Sequence, residues 1–166
     1  MHYAFWLVSQ QQKKVGDGLP DDVAKGMVSG YIVEVKDSSS KNTKLNSNAI
    51  TAAYSSCKNK QVSWCGVSPW GAKIWCYFQK IDWCFNGAKV TSKTRTRWGE
   101  IYYPFWSWKN MDSSESGGVG SSYYRAYTVG EFKYCVLTYG CLQYKYPRID
   151  ITVYGDGTSK YTAGCG

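Results

Sequence analysis

Between Lys73 and Trp98 the chain carries its clearest folding instruction. From Lys73 to Phe85 bulky residues fall at every second position, Trp75, Tyr77, Gln79, Ile81 and Trp83, which is the period of an extended strand. Asn86–Gly87 follows, the dipeptide best suited to a tight hairpin turn. Lys89 to Trp98 alternates again, with Val90, Ser92, Thr94, Thr96 and Trp98 on one face and Thr91, Lys93, Arg95 and Arg97 on the other. Neither run has helical periodicity, so an antiparallel hairpin belongs in the body of the fold.

Shorter pieces elsewhere follow the same logic. His2 to Gln10 reads as a strand with two largely apolar faces, which requires cover from its own domain or from a neighbouring copy. Gly16–Asp17–Gly18 is a turn, and Pro20–Asp21–Asp22 opens a short helix to about Met27, with the acids at its positive end. Tyr31 to Lys36 alternates as a strand, and Asp37 to Asn48 reads as a polar exposed loop. Asn46 to Ser56 suits a strand or a short helix. Glu100 to Trp108 reads as a third strand or an aromatic loop broken at Pro104, and Ser113 to Ser122 as a Ser/Gly loop. Tyr123 to Tyr139 makes one or two strands bent near Gly130. Asp150 to Tyr154 and Thr158 to Thr162 flank the Gly155–Asp156–Gly157 turn. About seven to ten short strands at this spacing predict an all-β fold, an antiparallel sandwich or barrel with an N-terminal extension containing one short helix. The extension covers residues 1–56 (strand, short helix, strand, polar linker), and an aromatic-rich, disulfide-bonded β domain covers residues 57–166.

At 166 residues there is chain enough for one core and too little for two full domains. Aromatic residues make up 17%, and seven of the eight tryptophans lie between Trp64 and Trp108. Such side chains fill β cores, and when exposed they grip sugars, bases or partner proteins. The formal net charge is +8, and residues 57–166 hold fourteen Lys and Arg against seven acids. A basic domain favours anionic partners.

Cysteines lie at 57, 65, 76, 84, 135, 141 and 165, and none forms a Cys-x-x-Cys pair. Structural zinc needs such closely spaced ligands, so no metal site is expected and disulfides are the better reading. Cys135–Cys141 closing a hairpin and Cys57–Cys84 joining the chain to the central hairpin are the favoured pairs. The odd count leaves one thiol free or one bond between chains. Disulfides imply an oxidising, extracellular setting. Against this, Ala4 to Val8 is too short for a secretory signal and no basic residue precedes it. No transmembrane segment is expected, since no apolar run is long enough to cross a bilayer.

The only histidine is His2, which leaves the usual serine or cysteine triads without a base. Asp82, Glu100, Glu131, Asp150 and Asp156 are candidates for a carboxylate pair, though spacing alone brings no two together. The SESGGVGSS stretch at 114–122 lacks the Gly-Lys-Ser/Thr ending of a nucleotide loop, and no cofactor is expected. Lys93, Arg95 and Arg97 form the best local cationic strip, with Trp98, Tyr102, Tyr103, Trp106 and Trp108 beside it. These eight are the candidate ligand-binding residues, a charged strip next to stacking surfaces. In the competing reading the aromatics pack the core and the strip faces water.

From Cys57 onward the chain resembles a group of small exported, Trp/Tyr-rich, disulfide-containing actinobacterial proteins. The segments that carry this are SSCK (55–58), WCFNG (83–87), RTRW (95–98), SGGVGSSYYRAYTVGEF (116–132) and YGCLQYKYPRIDITVYGDG (139–157). The resemblance covers about two thirds of the chain and implies export and disulfides, with no particular reaction. Cysteines near 57, 84, 135 and 141 belong to that pattern, while Cys65, Cys76 and Cys165 are additional. The expected function is extracellular, non-enzymatic binding through aromatic and basic residues. An anionic or neutral glycan leads as ligand, and nucleic acid ranks below it. The alternatives are a structural subunit that self-associates by N-terminal strand exchange, and a basic secreted toxin.

Overall fold

The computed structural model describes Trp6–Leu7, residues 18–40 and residues 56–166. Its elements are β1 (Trp6–Leu7), α1 (Asp21–Lys25), β2 (Gly30–Ser40), β3 (Ser56–Val67), β4 (Lys73–Phe85), β5 (Val90–Ile101), β6 (Trp106–Gly117), β7 (Tyr123–Val136), β8 (Gly140–Lys145), β9 (Pro147–Tyr154) and β10 (Ser159–Cys165). They form two antiparallel sheets. The first has the order β1-β2-β3-β4-β5; the second runs β10-β9-β7-β6, with β8 also on β7. The architecture is therefore the expected all-β sandwich.

The central hairpin forms as the alternation requires. β4 pairs with β5 from Trp75 opposite Ile101 to Phe85 opposite Val90, and Gly87 takes a φ of 97° in the connection. Trp75, Tyr77, Gln79, Ile81 and Trp83 all point into the sandwich and are buried. Val62 and Trp64 of β3 join them from the first sheet. Facing them are Tyr124, Ala126, Phe132 and Tyr134 of β7, with Ile149, Ile151 and Val153 of β9. Ring stacks knit this core: Trp75 on Phe132 at 4.2 Å and Trp106 on Tyr134 at 5.3 Å between centroids. β7 runs unbroken through Gly130, whose missing side chain leaves room for the Tyr77 ring.

Residues 18–40 belong to this same body. Val23, Met27 and Val28 enter the main core, and β2 pairs with β3 along eleven positions. Asp37 to Ser40 are strand rather than loop, because β3 supplies their hydrogen-bond partners. Of the N-terminal strand, Trp6 and Leu7 pair with Ile32 and Tyr31 of β2 in the same chain. The rest of His2–Gln10, the Gly16–Asp17 part of the first turn and residues 41–55 lie outside the described residues.

A second correction concerns residues 113–117. They continue β6, paired with β7 up to Gly117 opposite Tyr124, and only 118–122 form a loop. The strand is polar because it is a sheet edge with its side chains largely exposed, and its hydrogen bonds come from β7, not from β propensity. A bulge at Met111 shifts the register between Asn110 and Asp112, so Ser113 and Glu115, not Asp112, face inward beyond it.

Three disulfides staple the sandwich: Cys57–Cys84, Cys65–Cys76 and Cys135–Cys141. Two are the favoured pairs, and Cys65–Cys76 is the third. Cys165 is the one free thiol. Among the described residues no helix is long and apolar enough to cross a membrane, and no His/Cys/Asp/Glu group is arranged to hold a metal.

Candidate ligand-binding surface

The eight residues singled out from sequence do not form one surface. Lys93, Arg95 and Arg97 share a face of β5, but it is the inward face: they sit opposite Trp83, Ile81 and Gln79 of β4. Arg95 donates from Nε to Gln79 Oε1 at 2.8 Å and from its terminal nitrogens to Tyr127 O at 2.9 Å and Glu115 Oε1 at 3.1 Å. Lys93 Nζ reaches Glu115 Oε2 at 2.8 Å and lies 4.3 Å from the Tyr124 ring centroid. Arg97 donates to Asp112 O and Thr128 Oγ1, both at 3.2 Å. Lys93 first, and after it the Tyr124 hydroxyl and Arg95, hold the Glu115 carboxyl at about 2, well below the usual carboxylate range, while burial pulls the other way. The strip thus bridges the open edge between β5 and β6 and is neither core nor free surface.

The aromatics scatter. Trp98 points out of the opposite face of β5 and stacks on Phe78 at 4.8 Å, over the Cys65–Cys76 bond. Trp106, 6% exposed, is core, and its indole N–H donates to Gly26 O at 2.7 Å. Trp108 shares that inward face of β6, stacked 6.3 Å from Phe132 and only partly open to solvent. Tyr102 is exposed on the β5–β6 loop, where its hydroxyl donates to Glu100; burial first and that carboxylate second push its pKa up to about 12. Tyr103 donates to Asp22 O at 2.8 Å and helps fix α1.

The outer face of the second sheet is different. Strands β7, β9 and β10 lie side by side there, with Arg125 opposite Thr152 and Thr152 opposite Lys160. Tyr123, Arg125, Asp150, Thr152, Tyr154, Lys160, Tyr161 and Thr162 line an open groove of about 620 Å3. At its centre Arg125 Nε donates to both Asp150 oxygens at 3.0 Å, and a second guanidinium nitrogen also bonds the carboxylate. Lys160 Nζ stands 5.8 Å from the Tyr154 ring centroid. Tyr123 is exposed at the rim, whereas Tyr161, opposite the inward Ile151, turns to the inner side of β10, where Lys60 Nζ stands 5.5 Å from its ring centroid.

No family model, curated protein or solved structure matches the chain.

Function must then be argued from the groove's own chemistry. Exposed tyrosine rings offer flat apolar faces with a hydroxyl at the edge. Thr152 and Thr162 can donate and accept, and the Arg125–Asp150 pair presents donors beside an acceptor. That mixture suits a polyhydroxylated ligand lying along a sheet face. Of the five carboxylates considered for catalysis, only Asp150 lines the groove. Asp82 pairs with Lys80, Glu131 with Lys109, Glu100 bonds Tyr102 and Trp98, and Asp156 accepts from Thr158 in its own turn.

Sequence reasoning overlooked seven of the eight groove residues. Their signal was the polar and aromatic half of three alternating strands: Tyr123 and Arg125, then Asp150, Thr152 and Tyr154, then Lys160 and Thr162. Each set interleaves with inward residues, Tyr124 and Ala126 or Ile149, Ile151 and Val153. Only the pairing of β7, β9 and β10 makes the three sets one surface.

Proposed function

We propose that the protein is an extracellular, non-enzymatic binding protein that holds a glycan chain on the outer face of its second sheet. The observation that carries this reading is the open groove in which Tyr123 and Tyr154 flank the Arg125–Asp150 pair. Sugar-binding sites need ring-sized apolar faces together with a few oriented polar groups, and this groove has both. Its open, shallow form suits a chain that continues past the site at either end. Three disulfides support an oxidising compartment, where extracellular glycans occur. A binding role, rather than hydrolysis, is supported by the groove's lining: Asp150, both of whose oxygens accept from Arg125, is its one carboxylate, whereas glycoside hydrolysis ordinarily uses two.

Affinity electrophoresis against a panel of neutral and acidic polysaccharides tests the reading. Wild-type protein should be retarded by at least one polymer, and Tyr123→Ala should abolish most of that retardation without altering the thermal midpoint. Unchanged migration of the wild type in every polymer defeats the proposal.

A further inference from the structure

One end of the sandwich is built unlike the other. Because consecutive strands are antiparallel, the β3–β4 loop (68–72), the β5–β6 loop (102–105) and the β7–β8 loop (137–139) all emerge at the end that also carries α1. Their residues are Ser-Pro-Trp-Gly-Ala, Tyr-Tyr-Pro-Phe and Leu-Thr-Tyr, without one charged side chain. Five of the large exposed apolar or aromatic residues sit here: Trp70 at 70% exposure, Tyr102, Phe105, Leu137 and Tyr139, with Leu137 fully exposed. At the opposite end the loops 86–89, 118–122 and 155–158 present Lys89, Asp156 and small residues, with Val119 the one large exposed hydrophobic among them.

The tips are also held rigid. Cys65–Cys76 closes the base of the Trp70 loop, and Cys135–Cys141 closes the base of the Leu137 loop. The middle loop is pinned by Tyr102 N donating to Ile74 O at 2.9 Å and by Cys135 N donating to Phe105 O at 3.0 Å. Phe105 has a φ of 70°, the only positive value at a non-glycine among the described residues. A bulky side chain resists that conformation, so the surrounding structure imposes it, and its effect is to leave the ring more than half exposed. Rigid, uncharged tips that keep Trp, Phe and Leu in water are a cost to solubility that a monomer ordinarily avoids.

We propose that this crown docks onto an anionic lipid bilayer, with Trp70, Phe105 and Leu137 entering the headgroup boundary. Three separate points suit a deformable surface better than a protein partner, whose interface needs a continuous area of about 800 Å2 on each side. Tryptophan and tyrosine favour the headgroup level, and leucine and phenylalanine the layer beneath. The formal net charge of +8 draws the whole molecule toward an anionic leaflet, and the absence of charge on the tips lets them leave water, with Asp21 and Asp22 of α1 the acids of the helix carried at this end. This inference does not rest on the glycan reading, since no crown residue lines the groove.

Sedimentation with vesicles of phosphatidylcholine and phosphatidylglycerol (7:3 proportions, roughly the anionic content that gives a strong surface potential) tests it, read together with tryptophan emission. Wild-type protein should sediment and its emission should shift to the blue. The triple variant W70S/F105G/L137S should bind at least about tenfold more weakly, having lost the apolar groups that enter the boundary. Phe105→Gly suits the positive φ, so folding of this variant is secure at that position, and its circular dichroism should match wild type. Arg125→Ala should bind vesicles as wild type does. Equal sedimentation of the triple variant, no sedimentation of either protein, or a self-associated wild type that W70S/F105G/L137S converts to monomer would each overturn the proposal.

Discussion

Two places in this molecule use the same ingredients for opposite ends. At the β5–β6 edge, Arg95 meets Glu115 and Tyr127; on the outer face of the second sheet, Arg125 meets Asp150 with Tyr123 and Tyr154 nearby. The Arg95 side chain is 10% exposed and that of Arg125 is 55% exposed. Arg95 also donates to Gln79, a buried amide whose own Nε2 donates to Ala126 O across the sandwich. Removing it strands polar groups in the interior. Arg125 has only its carboxylate partner, and the rest of its surroundings is solvent-facing groove. Residue type does not separate a cation that ties the structure together from one left open to solvent. The face of the strand, and what that face meets, does.

That contrast can be broken by mutation, and the largest effects belong to the edge and its neighbours. Trp106→Ala should cost about 3–5 kcal/mol in chemical denaturation, because it removes a buried ring stacked on Tyr134 and orphans Gly26 O. A loss below about 1 kcal/mol, the level of an exposed site, would return Trp106 to the surface. Arg95→Ala should cost about 2–4 kcal/mol, since the Gln79 amide oxygen and Tyr127 O lose their donor. It should leave polysaccharide affinity intact in whatever fraction remains folded. Glu115→Gln should act through pH. The carboxyl sits near 2 in the folded state against an ordinary value of about 4.5, so it binds protons less readily when folded. Its stabilisation is full above about pH 5 and fades as pH falls toward 2. Thermal midpoints between pH 5 and 2 should therefore fall less steeply in Glu115→Gln than in wild type; parallel curves would remove Glu115 from the bridge with Lys93 and Arg95. The smallest stability effect belongs to the groove. Arg125→Ala should leave the denaturation midpoint close to that of wild type, as for other exposed ion pairs, while polysaccharide retention drops sharply.

Much of the fold was legible before any coordinates. The alternation from Lys73 to Trp98 encodes both hairpin strands and which β4 residues face inward, because a period of two admits no other placement once one face is buried. The favoured Cys57–Cys84 and Cys135–Cys141 pairs join directly opposed positions of neighbouring strands, as does Cys65–Cys76, which the sequence left unassigned. The sense of β5 was not legible. Lys93, Arg95 and Arg97 read as the outer face on hydrophobicity alone, yet they face inward because the neighbouring strand across the sandwich edge is β6, with Glu115 and the Asp112 carbonyl to receive them. Glu115 itself faces inward only because of the bulge at Met111, which has no signature in a run of Asn, Asp, Ser and Glu. Trp106 looked like an exposed platform for the same reason: its cover comes from Gly26 and Tyr134, remote in sequence.

The claim that most needs testing is that the ligand surface lies on the outer face of the second sheet and not along the cationic strip. Heteronuclear NMR, with a polysaccharide fragment that retards the protein titrated into labelled wild type, addresses it directly. The account predicts that amide shifts and line broadening gather on β7, β9 and β10 around Arg125, Thr152, Tyr154 and Lys160, while the indole N–H signals of Trp98, Trp106 and Trp108 stay still. Perturbations centred on Lys93, Arg95, Trp98 and Tyr102, with the groove resonances unmoved, would contradict it.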